Sequence, residues 1–174
     1  MPTVLLDRVV HTDYGQLDLG WRLPFGFDGD FDRFFEGQLN GLVGAADANG
    51  IYLNLARRSG GSGVRIELVE HAPDPLLETW EDVVEVSVTI PEGSDPRWSS
   101  WAGEDWGDVP IPAGIYRLRV SARGRDAGRE SEFAESVVDT YLLEFWAAPT
   151  EPDAIVQVGS ADAAYWHREI GGRR

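Results

Sequence analysis

Apolar and polar residues alternate through most of the chain. In the run 84–90, Val84, Val86, Val88 and Ile90 fall on one face and Glu85, Ser87 and Thr89 on the other, the period of two that marks a half-buried strand. The same alternation sets Tyr116, Leu118 and Val120 against Arg117, Arg119 and Ser121. It sets Val64, Ile66 and Leu68 against Arg65 and Glu67, and Ile51, Leu53 and Leu55 against Tyr52 and Asn54. Near the start, Leu17, Leu19 and Trp21 oppose Gln16, Asp18 and Gly20. The run 141–146 is apolar on both sides, with Tyr141, Leu143 and Phe145 facing Leu142, Glu144 and Trp146. That pattern predicts a strand in the middle of its sheet, covered on both faces.

Turn chemistry separates these runs. Asn49-Gly50 predicts a hairpin between the segment 41–47 and the strand after it. The stretch 59–63, Ser-Gly-Gly-Ser-Gly, reads as a flexible connector, 110–114 as a bend, and 123–132 as a long polar hairpin loop. Two segments have helical spacing. Asp30 to Gln38 carries Phe31, Phe34 and Phe35 at i, i+3 and i+4, with Asp30 as N-cap and Gly37 as stop, and is expected to plug one end of the strand framework. Ser160 to Ile170 starts on a Ser cap, ends at Gly171-Gly172, and reads as an appendage. Short strands with polar turns and few helices predict a mainly β fold: one antiparallel β-sandwich domain over residues 1–174, with one or two short helices and a C-terminal extension at 149–174.

Composition narrows the function classes. The chain of 174 residues holds 30 acidic and 15 basic residues, a net charge of −15. Such a surplus of acid argues against direct nucleic-acid binding, which needs Lys and Arg to neutralise phosphate, and against docking on an anionic membrane. No cysteine is present, which excludes disulfides, thiolate metal sites and a Cys nucleophile. The first residues lack a basic and apolar leader pattern, and no apolar run is long enough to span a bilayer, so a soluble cytoplasmic protein is expected. The charge is uneven: Glu70 to Asp108 holds 11 acids against the single base Arg97.

Catalytic and metal signals are weak. Asp28, Asp30 and Asp32 match the first positions of a calcium loop, but Arg33 and Leu39 stand where Gly and Glu are needed, and helix capping accounts for the acids. His11, His71 and His167 are scattered without ligand spacing, and no Gly-x-Ser-x-Gly elbow selects a nucleophile. The Gly60–Gly63 run lacks the Lys-Ser/Thr ending of a phosphate loop. Arg117, Arg119, Arg123, Arg125 and Arg129 form a basic zone expected to pair within the molecule. Neither cofactor nor metal is expected.

The order of these segments resembles the competence protein J family of nuclease inhibitors, over roughly residues 5–148. The resemblance rests on the opening strands from Val9-Val10 to Trp21, the short acidic-aromatic helix, and Gly41-Leu42-Val43-Gly44-Ala45-Ala46-Asp47 turning into Ile51-Tyr52-Leu53. It continues through the 84–90 strand, the Pro112–Leu118 run and Asp139-Thr140-Tyr141-Leu142-Leu143. The chain departs from it by longer 91–109 and 123–136 loops and an added tail. The resemblance implies a non-catalytic protein that binds and blocks a nuclease. With the acidic, Trp-containing 91–108 run, the chain is expected to be an inhibitor or immunity-type protein that occludes a basic nuclease or toxin site. The candidate contact residues are Glu92, Asp95, Glu104, Asp105 and Asp108, which supply charge for a basic cleft, and Trp98, Trp101 and Trp106, which supply buried area. An alternative use of the same indoles is a carbohydrate or small-ligand groove. A third reading, an enzyme with two facing carboxylates, ranks last because no pair of acids is singled out.

Overall fold

The computed structural model describes residues 1–131 and 134–174. In chain order its strands and helices are β1 (Thr3–Asp13), β2 (Gln16–Gly20), α1 (Phe31–Phe34), β3 (Val43–Gly44), β4 (Gly50–Asn54), β5 (Ser59–Leu68), β6 (Asp82–Ile90), β7 (Arg97–Ser100), β8 (Trp106–Asp108), β9 (Gly114–Arg123), α2 (Arg125–Glu130), β10 (Thr140–Ala147), β11 (Ala154–Gln157) and α3 (Ala161–Glu169). They form a six-stranded sheet, β1-β5-β10-β9-β6-β11, and a five-stranded sheet, β3-β4-β2-β7-β8. The mainly β expectation holds. The larger sheet is mixed, because β10 runs parallel to β5 while its other pairs are antiparallel. β10 lies between β5 and β9, the interior position its two-sided apolar pattern predicts.

The alternating residues meet between the sheets. Val64, Ile66, Val84, Val86, Leu118, Val120, Leu143 and Phe145 from the larger sheet pack on Leu17, Leu19, Ile51, Leu53 and Trp98 from the smaller. A tight turn at Tyr14-Gly15, both at positive φ, carries the chain from β1 in one sheet to β2 in the other. A Cβ on Gly15 would sit 2.3 Å from the Leu55 carbonyl oxygen, so only glycine fits there.

Several expectations change. The 59–63 run is the first half of β5, paired with β1, so glycine there serves a close strand approach and not a loose connector. The hairpin loop expected at 123–132 contains α2, and positions 132 and 133 lie outside the described residues. α1 is a single turn, although Asp30 caps it as expected by accepting the Arg33 N–H. The helix does not plug an end of the sandwich. Phe34 and Phe35 instead join Tyr52, Ile170, Phe25, Phe27 and Phe31 in a second apolar layer. That layer covers the face of β4 opposite the core, because Tyr52 lies in the opposite phase from Ile51 and Leu53. Nor is the C-terminal segment an appendage. β11 extends the larger sheet beside β6, Ala163 of α3 reaches the core, and Asp162 makes a buried ion pair of 2.8 Å with Arg125 of α2.

Candidate functional site

The run from 91 to 108, read as a loop, is mostly a hairpin. β7 pairs with β2, β8 forms the free edge of the smaller sheet, and a single 3₁₀ turn at Trp101–Gly103 joins them. Register decides where each side chain goes. Trp98 lies opposite Leu19 and Gly107 and points into the core, where it is 1% exposed. It belongs to the framework, and the expectation of a partner contact at Trp98 is corrected on that ground. Trp106, opposite Ser99, falls in the other phase and is 55% exposed. Trp101 is half-buried at the turn, against Tyr14 with ring centroids 5.2 Å apart.

Glu92, Asp95, Glu104 and Asp108 are exposed, and Asp105 is partly so. Arg97 bridges Asp95 at 3.1 Å and Asp108 at 3.4 Å while lying over the Trp106 ring at 4.8 Å. Asp105 meets Arg8 of β1 at 3.1 Å. The hairpin therefore brings together Asp95, Glu104, Asp105, Asp108, Trp101 and Trp106 on one edge. It does not bring in the rest of the acidic stretch. Asp82 is buried, accepting the Ser160 N–H and Oγ–H at the start of α3. Glu85 is held between Arg117 at 3.2 Å and Arg119 at 2.9 Å on the outer face of the larger sheet. That pairing meets the expectation for the basic zone at Arg117 and Arg119.

Beside the hairpin lies a cleft of about 680 Å³. Its floor is the outward phase of β2 and β7, with Gln16, Asp18, Gly20 and Ser99. One wall is the segment 23–27, which carries Leu23, Pro24, Phe25, Gly26 and Phe27, and the other carries Trp101 and Trp106. Gly20 and Gly50 pair across β2 and β4, and a Cβ on either would meet Phe25 within 2.8 Å. The missing side chains seat Phe25 against the sheet and so fix the wall. Asp18 is 1% exposed. It accepts the Gln16 Nε2–H at 2.6 Å and the Phe27 N–H at 3.3 Å. Burial nevertheless outweighs these hydrogen bonds and pushes its carboxyl up to about 6.

Sequence reasoning placed Asp18 correctly on the polar side of its strand but gave it no role. The missed signal is the Phe25-Gly26-Phe27 segment, whose aromatics on both sides of a glycine can roof a polar strand face. Among the described residues, no three His, Asp or Glu side chains gather as a metal site, and no helix is long and apolar enough to cross a membrane.

No family model and no curated protein sequence matches the chain. Two solved structures share its fold. One is ComJ from Bacillus subtilis, an inhibitor of the DNA-degrading activity of NucA, 16% identical, with 85% of this chain and 99% of that one aligned at a TM-score of 0.55. The other is the product of crocagin biosynthetic gene J, 13% identical, with 86% and 99% aligned at a TM-score of 0.52. The chain has a ComJ-like fold.

Proposed function

We propose that this chain is a non-enzymatic binding protein that occludes the basic substrate site of a nuclease or toxin. The supporting observation is the β7–β8 hairpin, which holds exposed Trp106 and half-buried Trp101 among Asp95, Glu104, Asp105 and Asp108 at the edge of a fold shared with a nuclease inhibitor. Clustered acids steer a basic cleft toward the hairpin, and the indole faces supply the short-range contact. Glu92, just outside the hairpin, adds to the steering charge. Trp98 acts only by holding β7 in place.

The test is inhibition of plasmid digestion by nucleases encoded in the host's own genome, titrated with the purified chain. Inhibition at a near-stoichiometric ratio is expected. It should weaken by about tenfold or more between 50 and 300 mM salt and be lost on combining Glu104→Lys, Asp105→Lys and Asp108→Lys. Affinity that ignores both salt and charge reversal contradicts the reading.

The cleft favours a second reading, a groove for a neutral sugar between Trp101, Trp106 and Phe25. Glycan titrations that leave the tryptophan emission unchanged count against it.

A further inference from the structure

The cleft beside the hairpin has a feature that acidic steering alone does not require. A carboxylate lies at the bottom of a mostly aromatic slot. Asp18 sits beneath Gly26, where a Cβ would come no closer than 3.7 Å to its Oδ2 and would meet no other heavy atom within 4 Å. Asp18 lines the cleft but is only 1% exposed, and the bare backbone of Gly26 is what stands next to its Oδ2. Phe25 and Phe27 flank Gly26, and Trp101 and Trp106 line the same cleft from the hairpin. Arg97, the basic residue among the lining, is already engaged by Asp95 and Asp108 and laid on Trp106, so Asp18 has no cation of its own. A buried carboxylate without a counter-ion is unfavourable, and its carboxyl is pushed up accordingly.

We propose that this cleft seats one arginine side chain of the protein partner, with Asp18 as counter-ion and the rings of Trp101 and Trp106 as stacking faces. Arginine fits better than lysine. Its planar guanidinium binds a carboxylate in two-pronged fashion and stacks on indoles. Among the described residues the molecule already uses that contact five times, including Arg97 over Trp106 at 4.8 Å and Arg8 over Trp98 at 5.1 Å. The volume of about 680 Å³ admits an arginine together with the backbone that carries it. That the occupant belongs to a protein rests on the inhibitor reading, through the acids at the rim of the same cleft.

The probe is the blocked pentapeptide acetyl-Gly-Gly-Arg-Gly-Gly-amide, with a citrulline peptide as its neutral isostere, titrated into the full ¹⁵N-labelled chain at pH 7.5. The expected result is saturable movement of the Trp101 and Trp106 indole N–H signals and of the Gly26 and Phe27 amides. The citrulline peptide should bind about tenfold or more weaker. Asp18→Asn should weaken the arginine peptide to the citrulline level. Gly26→Leu, which leaves every charge in place and puts a side chain beside Asp18, should abolish the response, and both variants are checked for native amide dispersion. Equal binding of the two peptides, undiminished binding by both variants, or saturation of the same signals by a neutral trisaccharide overturns the proposal. A silent titration alongside intact nuclease inhibition removes the arginine seat alone. A saturable titration in a chain that inhibits no nuclease supports the seat and removes the inhibitor reading.

Discussion

Asp18 is buried and His167 half-buried, and their titrations work in opposite directions. Burial raises Asp18 from 3.8 to about 6, so the folded chain takes up a proton there before the unfolded chain does. Its contribution to stability is present below pH 3.8 and is lost as pH rises through 6. His167 accepts the Gly41 N–H at Nδ1 at 3.0 Å, and its Nε2 has no partner among the described residues. Burial, helped by the charge of Arg125, lowers it from 6.5 to about 4. Its contribution is present above 6.5 and lost as pH falls toward 4. The two largely offset one another between pH 4 and 6.5. Asp18→Asn is therefore expected to stabilise the chain by about 2 kcal/mol at pH 7.5, with the gain vanishing near pH 4, as read from urea midpoints. A stability gain that removes the arginine response would mark Asp18 as a group kept for binding at a cost in stability. The indoles divide the same way. Trp98→Ala opens a core cavity and should cost about 3–5 kcal/mol of stability. Trp106→Ala should leave the melting temperature nearly unchanged and weaken nuclease binding by about 2 kcal/mol, or roughly thirtyfold.

At the level of elements, α2 and α3 are joined through charge. Arg125 and Asp162 are each about 1% exposed and meet at 2.8 Å, and Asp126 accepts the Ala161 and Asp162 N–H groups at the start of α3. Asp162→Ala strands the buried guanidinium and should cost about 3–5 kcal/mol in chemical denaturation. Combining it with Arg125→Met should recover much of that loss. This pair explains why α3 was misread as an appendage: its burial rests on partners far away in sequence, and the helix itself has a weak apolar stripe. β2, β4, β6, β9 and the second half of β5 were legible because each carries its own period of two, and β10 announced its interior position by being apolar on both faces, whereas β7, β8 and β11 are too short to show a period. Sheet membership was not legible. The Tyr14-Gly15 turn sends β1 and β2 to different sheets although their patterns suit a paired hairpin. The acidic hairpin was legible in its charge and aromatic content but not in its register, and register alone sends Trp98 inward and Trp106 outward. The cleft was least legible, because its walls come from 23–27 and 97–106, segments that only the fold brings together.

For the whole molecule, the net charge of −15 is not one uniform patch. Asp82 and Glu85 work inside the structure, while Asp95, Glu104, Asp105 and Asp108 gather at the free edge of the smaller sheet beside the cleft. The outer face of the larger sheet is occupied by the Arg117–Glu85–Arg119 cluster, already paired within the chain. Glu70, Asp74, Glu78 and Glu81 are exposed elsewhere, and the hairpin edge, which alone adds exposed indole to its acids, is the one proposed to meet a basic partner. Hydrogen exchange of the chain, free and bound to a nuclease that it inhibits, locates that contact directly. The account predicts slowed exchange at 97–108 and 23–27, with the outer face of the larger sheet unchanged. Protection centred on β9 and β6, with the hairpin and the cleft wall exchanging as in the free chain, contradicts it.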